Sequence, residues 1–177
     1  MKGITVTLAT RQLSAVSSFV VSVERFCDLI EHTSELPVHE FLKRISASMS
    51  QLYALALDLP DVYLRSNSGL PPSESGLFEA ALTAYLGPYN FYNISLAPRD
   101  IQNPELAVGS LADDLGELYS DLHRELVYYR SDDLGKLEHA IWSWKFGLHA
   151  HWGEHLTNAL RYIHYLLYTE RIEYAKE

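Results

Sequence analysis

The chain is organised around one aromatic stretch, LEHAIWSWKFGLHAHWGEHLTNALRYIHYLL, at residues 137–167. This stretch contains all three tryptophans of the protein and five of its eight histidines. Apolar side chains recur in its first half every three or four residues, at Leu137, Ile141, Trp144, Leu148 and Trp152. That spacing places them on one face of an α-helix. A helix with so apolar a face is stable only when it packs against others. The stretch therefore predicts a long C-terminal helix inside a bundle.

A row of polar side chains runs along the edge of this apolar face. If the helix is continuous, His151, His155, Asn158 and Tyr162 follow one another at i, i+4, i+7 and i+11. These positions lie close together on a helix that turns about 100° per residue. Gly153 leaves a second possibility open, because glycine is unfavourable inside a helix and can mark a break.

Four further helices are predicted upstream from apolar periodicity and from proline and glycine stops, at residues 10–31, 37–59, 75–86 and 103–130. Residues 61–74 and 87–102 are connectors, and residues 1–9 form a loose N-terminal arm. The aromatic segment 89–95 is expected to be an ordered loop, since one strand without a partner is not a sheet. The whole chain, 1–177, is thus predicted to be all-α, a single-domain antiparallel bundle of five or six helices.

Composition restricts the classes of function. The net charge is −9 and the isoelectric point is near 5.3, which opposes binding to nucleic acid or to anionic lipid. No apolar run is long enough to span a membrane. The single cysteine, Cys27, lies on the apolar face of the first helix and fits a reducing compartment. We therefore expect a cytoplasmic protein without nucleic-acid or membrane partners; a protein partner or a homo-oligomer stays open.

The fourth predicted helix carries carboxylates beside its own apolar stripe. Asp114, Asp121 and Glu125 fall along one flank of that stripe, whereas Asp113 is placed on the opposite side. A buried polar group without a partner costs about 1–3 kcal/mol, so buried histidines need partners. We expect the last two helices to pack with these three carboxylates facing His151 and His155.

The residues at this predicted contact resemble a known family. They are SLADDL at 110–115, YSDL at 119–122, HWGxH at 151–155, and ALR at 159–161 followed by His164. Together they are similar to a bacterial family of all-helical domains of unknown function, over about residues 36–167. The resemblance implies a cytoplasmic, all-helical bacterial protein. It supplies no catalytic residues, because the family has no assigned activity.

Three roles are open for the polar groups. A hydrogen-bonded network of His151, His155, Asn158 and Tyr162 with the helix-four acids would fix the register of two helices. Five of these groups, His151, His155, Asp114, Asp121 and Glu125, could instead hold a divalent metal, because imidazoles at i and i+4 share a helix face. A His–Asp pair could also serve acid/base catalysis.

The network role favours a non-catalytic scaffold or interaction protein. The metal role predicts a divalent-metal-binding or metal-dependent hydrolytic protein, although the HExxH motif of zinc hydrolases is absent. No cofactor other than a possible divalent metal is indicated.

Overall fold

The computed structural model describes residues 7, 10, 13–64 and 78–172. Within these residues the chain forms six α-helices and one β-hairpin, in the order α1 Ser14–Glu31, α2 Val38–Leu57, α3 Glu79–Leu86, β1 Phe91–Ser95, β2 Leu106–Ser110, α4 Leu111–Tyr129, α5 Leu134–Ala150 and α6 Trp152–His164. A π-helical turn, Tyr165–Glu170, continues α6. The predicted all-α bundle with a long C-terminal helix is confirmed. Three predicted features lie outside the described residues. They are the arm at residues 1–9 (residue 7 apart), residues 65–74 of the connector, and the helix start at residue 75.

Helix α4 lies at the centre of the bundle and packs against α1, α3, α5 and α6. Buried apolar side chains from all six helices form one core cluster. Its largest members include Trp144, Trp152 and Phe19. The Phe19 and Trp144 rings meet edge to face, with their centroids 5.3 Å apart. Cys27 lies in the same core, where burial raises the pKa of its thiol to about 12. In the described part of the chain, no helix combines the length and the apolar character that crossing a membrane requires.

The aromatic stretch does not form one continuous helix. Helix α5 ends at Ala150 and α6 begins at Trp152, so the break falls at His151, whose φ and ψ are −154° and −85°. Gly153 explains why the chain can turn here, because a Cβ at that position would overlap the backbone carbonyl of Leu148. The break near Gly153 that the sequence left open is therefore observed. It divides the polar row, because His151 lies at the break whereas His155, Asn158 and Tyr162 lie on α6.

The aromatic segment 89–95 is not a loop, and that prediction is wrong. Its last five residues form β1, Phe91–Ser95, which pairs antiparallel with β2 in a register that places Tyr92 opposite Gly109. The partner strand went unrecognised because Leu106–Ser110 was assigned to the start of a helix. A Cβ on Gly109 would lie 2.8 Å from the Tyr92 ring, so the missing side chain is what lets that ring lie across β2.

The predicted start of the fourth helix, at residue 103, is also wrong. Asn103 donates its backbone N–H to the Asp100 carboxylate (3.0 Å), so it closes a local turn in the connector. Helix α4 begins eight residues later, and its N-cap is Ser110, whose hydroxyl accepts the N–H of Asp113 at 3.2 Å. Asn and Ser serve both turns and helix caps, so sequence alone does not separate the two uses.

Two helical glycines allow a matched test of the break. A Cβ at Gly147, in α5, would lie 2.5 Å from the Trp152 ring, which donates its indole N–H to the Trp144 carbonyl (3.1 Å) and so cannot move freely. We expect Gly147→Ala to lower the free energy of unfolding by about 1–3 kcal/mol. At Gly116, in α4, a Cβ would meet no described heavy atom within 4 Å, so Gly116→Ala should raise stability by up to about 1 kcal/mol. Urea denaturation measures both; equal shifts in the same direction would contradict the packing at the break.

Candidate functional site

The buried carboxylate of Asp114 joins three elements of the fold. Asp114 lies in the first turn of α4 and is only 6% exposed. One of its oxygens pairs with Nδ1 of His155, on α6, at 2.8 Å. The other accepts a short hydrogen bond from the hydroxyl of Tyr92, on β1. Both oxygens of the carboxylate are therefore used, and α4, α6 and the hairpin meet at one side chain.

The N-terminus of α4 is built to hold that carboxylate in place. Asn90, fully buried just before β1, accepts the N–H of Leu111 with its backbone carbonyl and the N–H of Ala112 with its side-chain oxygen, both at 2.8 Å. Ser110 caps the next N–H, that of Asp113. The first three N–H groups of the helix are thereby satisfied without its acids. The positive end of the helix dipole also favours the two carboxylates of this turn.

Tyr92 reaches Asp114 because the hairpin lies against α6. Its ring stacks on that of Tyr162, with centroids 4.5 Å apart and planes within 14°. The Tyr162 hydroxyl donates to the carbonyl of Phe91 (3.3 Å), and Arg161 donates to the carbonyl of Asn93 (2.8 Å). These bonds satisfy carbonyls on β1, so α6 holds the strand in position through two consecutive side chains.

A second His–Asp pair lies beside the first. Nδ1 of His151, at the helix break, pairs with an oxygen of Asp121 at 2.7 Å. The rings of His151 and His155 are 5.0 Å apart between centroids and meet edge to face. His151 is exposed, whereas His155 is half-buried. The expected contact between the two histidines and helix-four carboxylates is therefore present, as two separate pairs.

The remaining predicted residues lie elsewhere. Glu125, almost fully buried, accepts hydrogen bonds from Arg124 (3.1 Å) and Ser143 (3.0 Å), not from His151 or His155. Burial raises the pKa of its carboxyl group. Tyr162 bonds the hairpin, as described, and Asn158 makes no hydrogen bond with either His–Asp pair. Neither residue extends the two pairs into the single four-membered row that the sequence suggested.

Asp113 belongs to the site, although the sequence placed it on the far side of α4. An oxygen of Asp113, an oxygen of Asp114 and a ring nitrogen of His155 all lie within 4.8 Å of one another. A helical wheel misses this because it considers one helix at a time. The first turn of α4 is where α6 and the hairpin converge, so both of its carboxylates come near the imidazole. The adjacent acids Asp113 and Asp114, in the first turn of α4, were the feature of the sequence that could have indicated this site.

The carboxylates around His155 raise the pKa of its imidazole. The hydrogen bond to Asp114 raises the pKa of His155, against the opposing effect of burial, and the charges of Asp113 and Glu117 act in the same direction. Burial, followed by the contact with Asp114, raises the pKa of the Tyr92 hydroxyl, which therefore stays protonated and donates. The site thus favours a protonated imidazole between carboxylates.

The fold and the site define a helical bundle with a β-hairpin and a carboxylate–imidazole cluster where α4, α6 and the hairpin meet. The chain belongs to a family described as a domain of unknown function, DUF5063. The family model matches residues 12–169, which is most of the chain. The crystal structure of protein BF1032 from Bacteroides fragilis has a similar fold, with a TM-score of 0.78 over 93% of this chain and 99% of that one, at 16% identity. No curated protein matches the chain.

The His155–Asp114 pair predicts a pH-dependent stability. A histidine whose pKa is raised on folding adds stability that is complete below its unfolded pKa, about 6.5, and is lost as the pH rises through the folded value. In chelator, the free energy of unfolding of the wild type should exceed that of His155→Gln most at about pH 6, and the gap should narrow towards pH 8.5. The control is His164→Gln, at an exposed position on the same helix whose ring contacts Tyr168 and pairs with no carboxylate of the described residues. This variant should show no such trend. A gap that widens with pH would contradict the assigned pairing.

Proposed function

We propose that the protein binds a divalent cation through Asp113, Asp114 and His155. The observation that carries this proposal is the convergence of two carboxylate oxygens and one imidazole nitrogen within 4.8 Å of one another. Carboxylate and imidazole together suit Zn²⁺, Mn²⁺ and Fe²⁺, whereas Ca²⁺ and Mg²⁺ prefer sites made of oxygen alone. Three protein ligands leave coordination positions for water, which is the arrangement of hydrolytic metal centres.

The surroundings of the three groups support the same proposal. Asp114 is buried, so a cation there would be shielded from solvent, and the Tyr92 hydroxyl bonds and orients its second oxygen. The 2.8 Å contact between Asp114 and His155 Nδ1 holds a proton that a cation would displace. Cation binding should therefore release a proton and weaken as the pH falls.

A second candidate function, a non-catalytic scaffold or interaction protein, is favoured by the outer face of the hairpin. The side chains of Phe91, Leu106 and Val108 are 62%, 67% and 73% exposed, and they lie on the face turned away from Tyr92 and Gly109. Contiguous exposed apolar side chains are typical of contact surfaces. Under this candidate the two His–Asp pairs serve packing alone, and a protein partner or a second copy covers the hairpin. For either function we propose the bacterial cytoplasm as the location, since a buried, free Cys27 fits a reducing compartment.

Metal content separates the two candidates. Protein purified without a histidine tag, stripped with chelator and dialysed against Zn²⁺ or Mn²⁺, should retain close to one equivalent of metal by elemental analysis. Asp113→Asn and His155→Gln should each lower the affinity by about tenfold or more, measured by calorimetry, because each removes one of three ligands. Ca²⁺ should bind far more weakly.

The matched controls are acids of the same helix. Asp121→Asn and Glu125→Gln remove carboxylates that the structure places outside the three-residue cluster, so the affinity for the cation should change little. Losses in Asp121→Asn and Glu125→Gln as large as that in His155→Gln, with little change in Asp113→Asn, would point instead to the wider set of His151, His155, Asp114, Asp121 and Glu125. Absence of metal uptake by the wild type would reject the proposal and leave the packing role of the cluster.

A further inference from the structure

A cavity of about 260 Å³ lies between α4 and α5, next to the helix break. All three tryptophans of the protein, Trp142, Trp144 and Trp152, line it. Trp144 and Trp152 are fixed by hydrogen bonds from their indole N–H groups to the carbonyls of Leu122 (3.3 Å) and Trp144 (3.1 Å). The cavity is therefore bordered by two rigidly held indoles that are almost fully buried and by Trp142, which is partly exposed.

The outer wall adds a further aromatic face. The rings of Trp142 and Phe146, one turn apart on α5, stack with centroids 4.8 Å apart and planes within 8°. Phe146 is 54% exposed, although it is a large apolar residue. A stacked pair at the mouth of a cavity offers a planar surface on which a second planar group can lie.

One buried side chain in the cavity wall lacks a hydrogen-bond partner. His139 is only 4% exposed, and neither of its ring nitrogens is bonded within the described part of the chain. The nearest acceptor, an oxygen of Glu125, is 3.7 Å from Nε2, too far for a hydrogen bond. Burial lowers the pKa of His139, so the ring is neutral and has one donor and one acceptor to satisfy. Leaving such groups unpaired is unfavourable, and a bound polar molecule would relieve it.

The positive charge of Arg124 at the cavity wall is compensated by two neighbouring carboxylates. Arg124 lines the cavity, and two bonds of its guanidinium go to Asp121 (3.5 Å) and Glu125 (3.1 Å). A guanidinium has five N–H donors, so donors are left for a ligand. Because carboxylates already flank the cation, the site does not favour a strongly charged guest. It favours a neutral one with both donors and acceptors on its edge.

We propose that this cavity binds a neutral, planar nitrogen heteroaromatic molecule of one or two fused rings, of which a purine base is the type. The partly exposed Trp142 and the exposed Phe146 would stack on the faces of the rings, and Arg124 and His139 would pair with the polar edge. The size agrees, since a cavity of about 150 Å³ already accommodates benzene. Asp113, Asp114 and His155 do not line this cavity. The proposal is therefore independent of the cation site.

Tryptophan fluorescence reports directly on this cavity, because every tryptophan of the chain lines it. We would titrate the full-length protein in chelator with hypoxanthine, and separately with indole, a fused ring of similar size whose edge is largely apolar, exciting at the red edge of the tryptophan band. Calorimetry would confirm each affinity. Hypoxanthine should cause a saturable change and should bind at least about fivefold more tightly than indole, because only hypoxanthine pairs with the buried polar groups.

Two variants and one control locate the binding site. Phe146→Ala removes the exposed wall and should weaken hypoxanthine binding at least about fivefold, as expected for a lost stacking surface. Phe91→Ala removes an aromatic side chain of comparable exposure from the hairpin and should leave the affinity unchanged. His139→Leu should abolish the preference for hypoxanthine over indole while the protein stays folded, because the imidazole nitrogens make no hydrogen bond with any residue that the structure describes. No saturable change, equal affinity for indole and hypoxanthine, or equal effects of Phe146→Ala and Phe91→Ala would each overturn the proposal.

Discussion

One buried carboxylate, that of Asp114, fixes how the hairpin, α4 and α6 meet. A carboxylate held at 6% exposure is tolerated only when its oxygens are paired. Here one oxygen binds His155 and the other Tyr92, so two partners arrive from different parts of the chain. Removing either would leave a buried charge with an unmet hydrogen bond. The position of Asp114 in turn depends on Asn90, which satisfies two N–H groups at the start of α4.

The helix break has a similar role on the opposite side of the site. If the stretch were one helix, His151 and His155 would project from the same rod, one turn apart. Because the chain turns at His151, that residue pairs with Asp121 while His155 pairs with Asp114, two turns apart on α4. The break also places Trp152 against Gly147, where it forms part of the wall of the aromatic cavity. One local turn therefore shapes both the cation cluster and the cavity.

Sequence predicted the parts of this architecture that follow from periodicity. The helices, the apolar face with Trp144 and Trp152, and the approach of helix-four acids to His151 and His155 all depend on which residues share a helix face. The hairpin could not be read in the same way, because β2 is a five-residue segment whose role depends on its partner strand. Gly109 is the one residue of β2 that could have indicated the strand pairing, but its role is clear only once Tyr92 is known to lie across it.

The same limit applies to the site. Glu125 was grouped with Asp121 because the two share a helix flank, yet it accepts hydrogen bonds from its sequence neighbour Arg124 and from Ser143, which tertiary packing brings to it. Asp113 was excluded by a helical wheel and is included by the convergence of three elements at a helix end. Local pattern predicts which face a residue occupies, whereas the groups opposite that face are set by contacts distant in sequence.

The central claim is that Asp114 couples the hairpin to α6, and a double-mutant cycle between Tyr92→Phe and His155→Gln tests it most directly. Both residues bond the same carboxylate but lie on different elements, and neither hydrogen-bonds the other. If Asp114 links them, the free energy of unfolding of the double variant should differ from the sum of the single effects by about 0.5–3 kcal/mol. Additive effects, measured by urea denaturation in chelator at a pH near 6, would show that the two bonds act independently and would contradict the account.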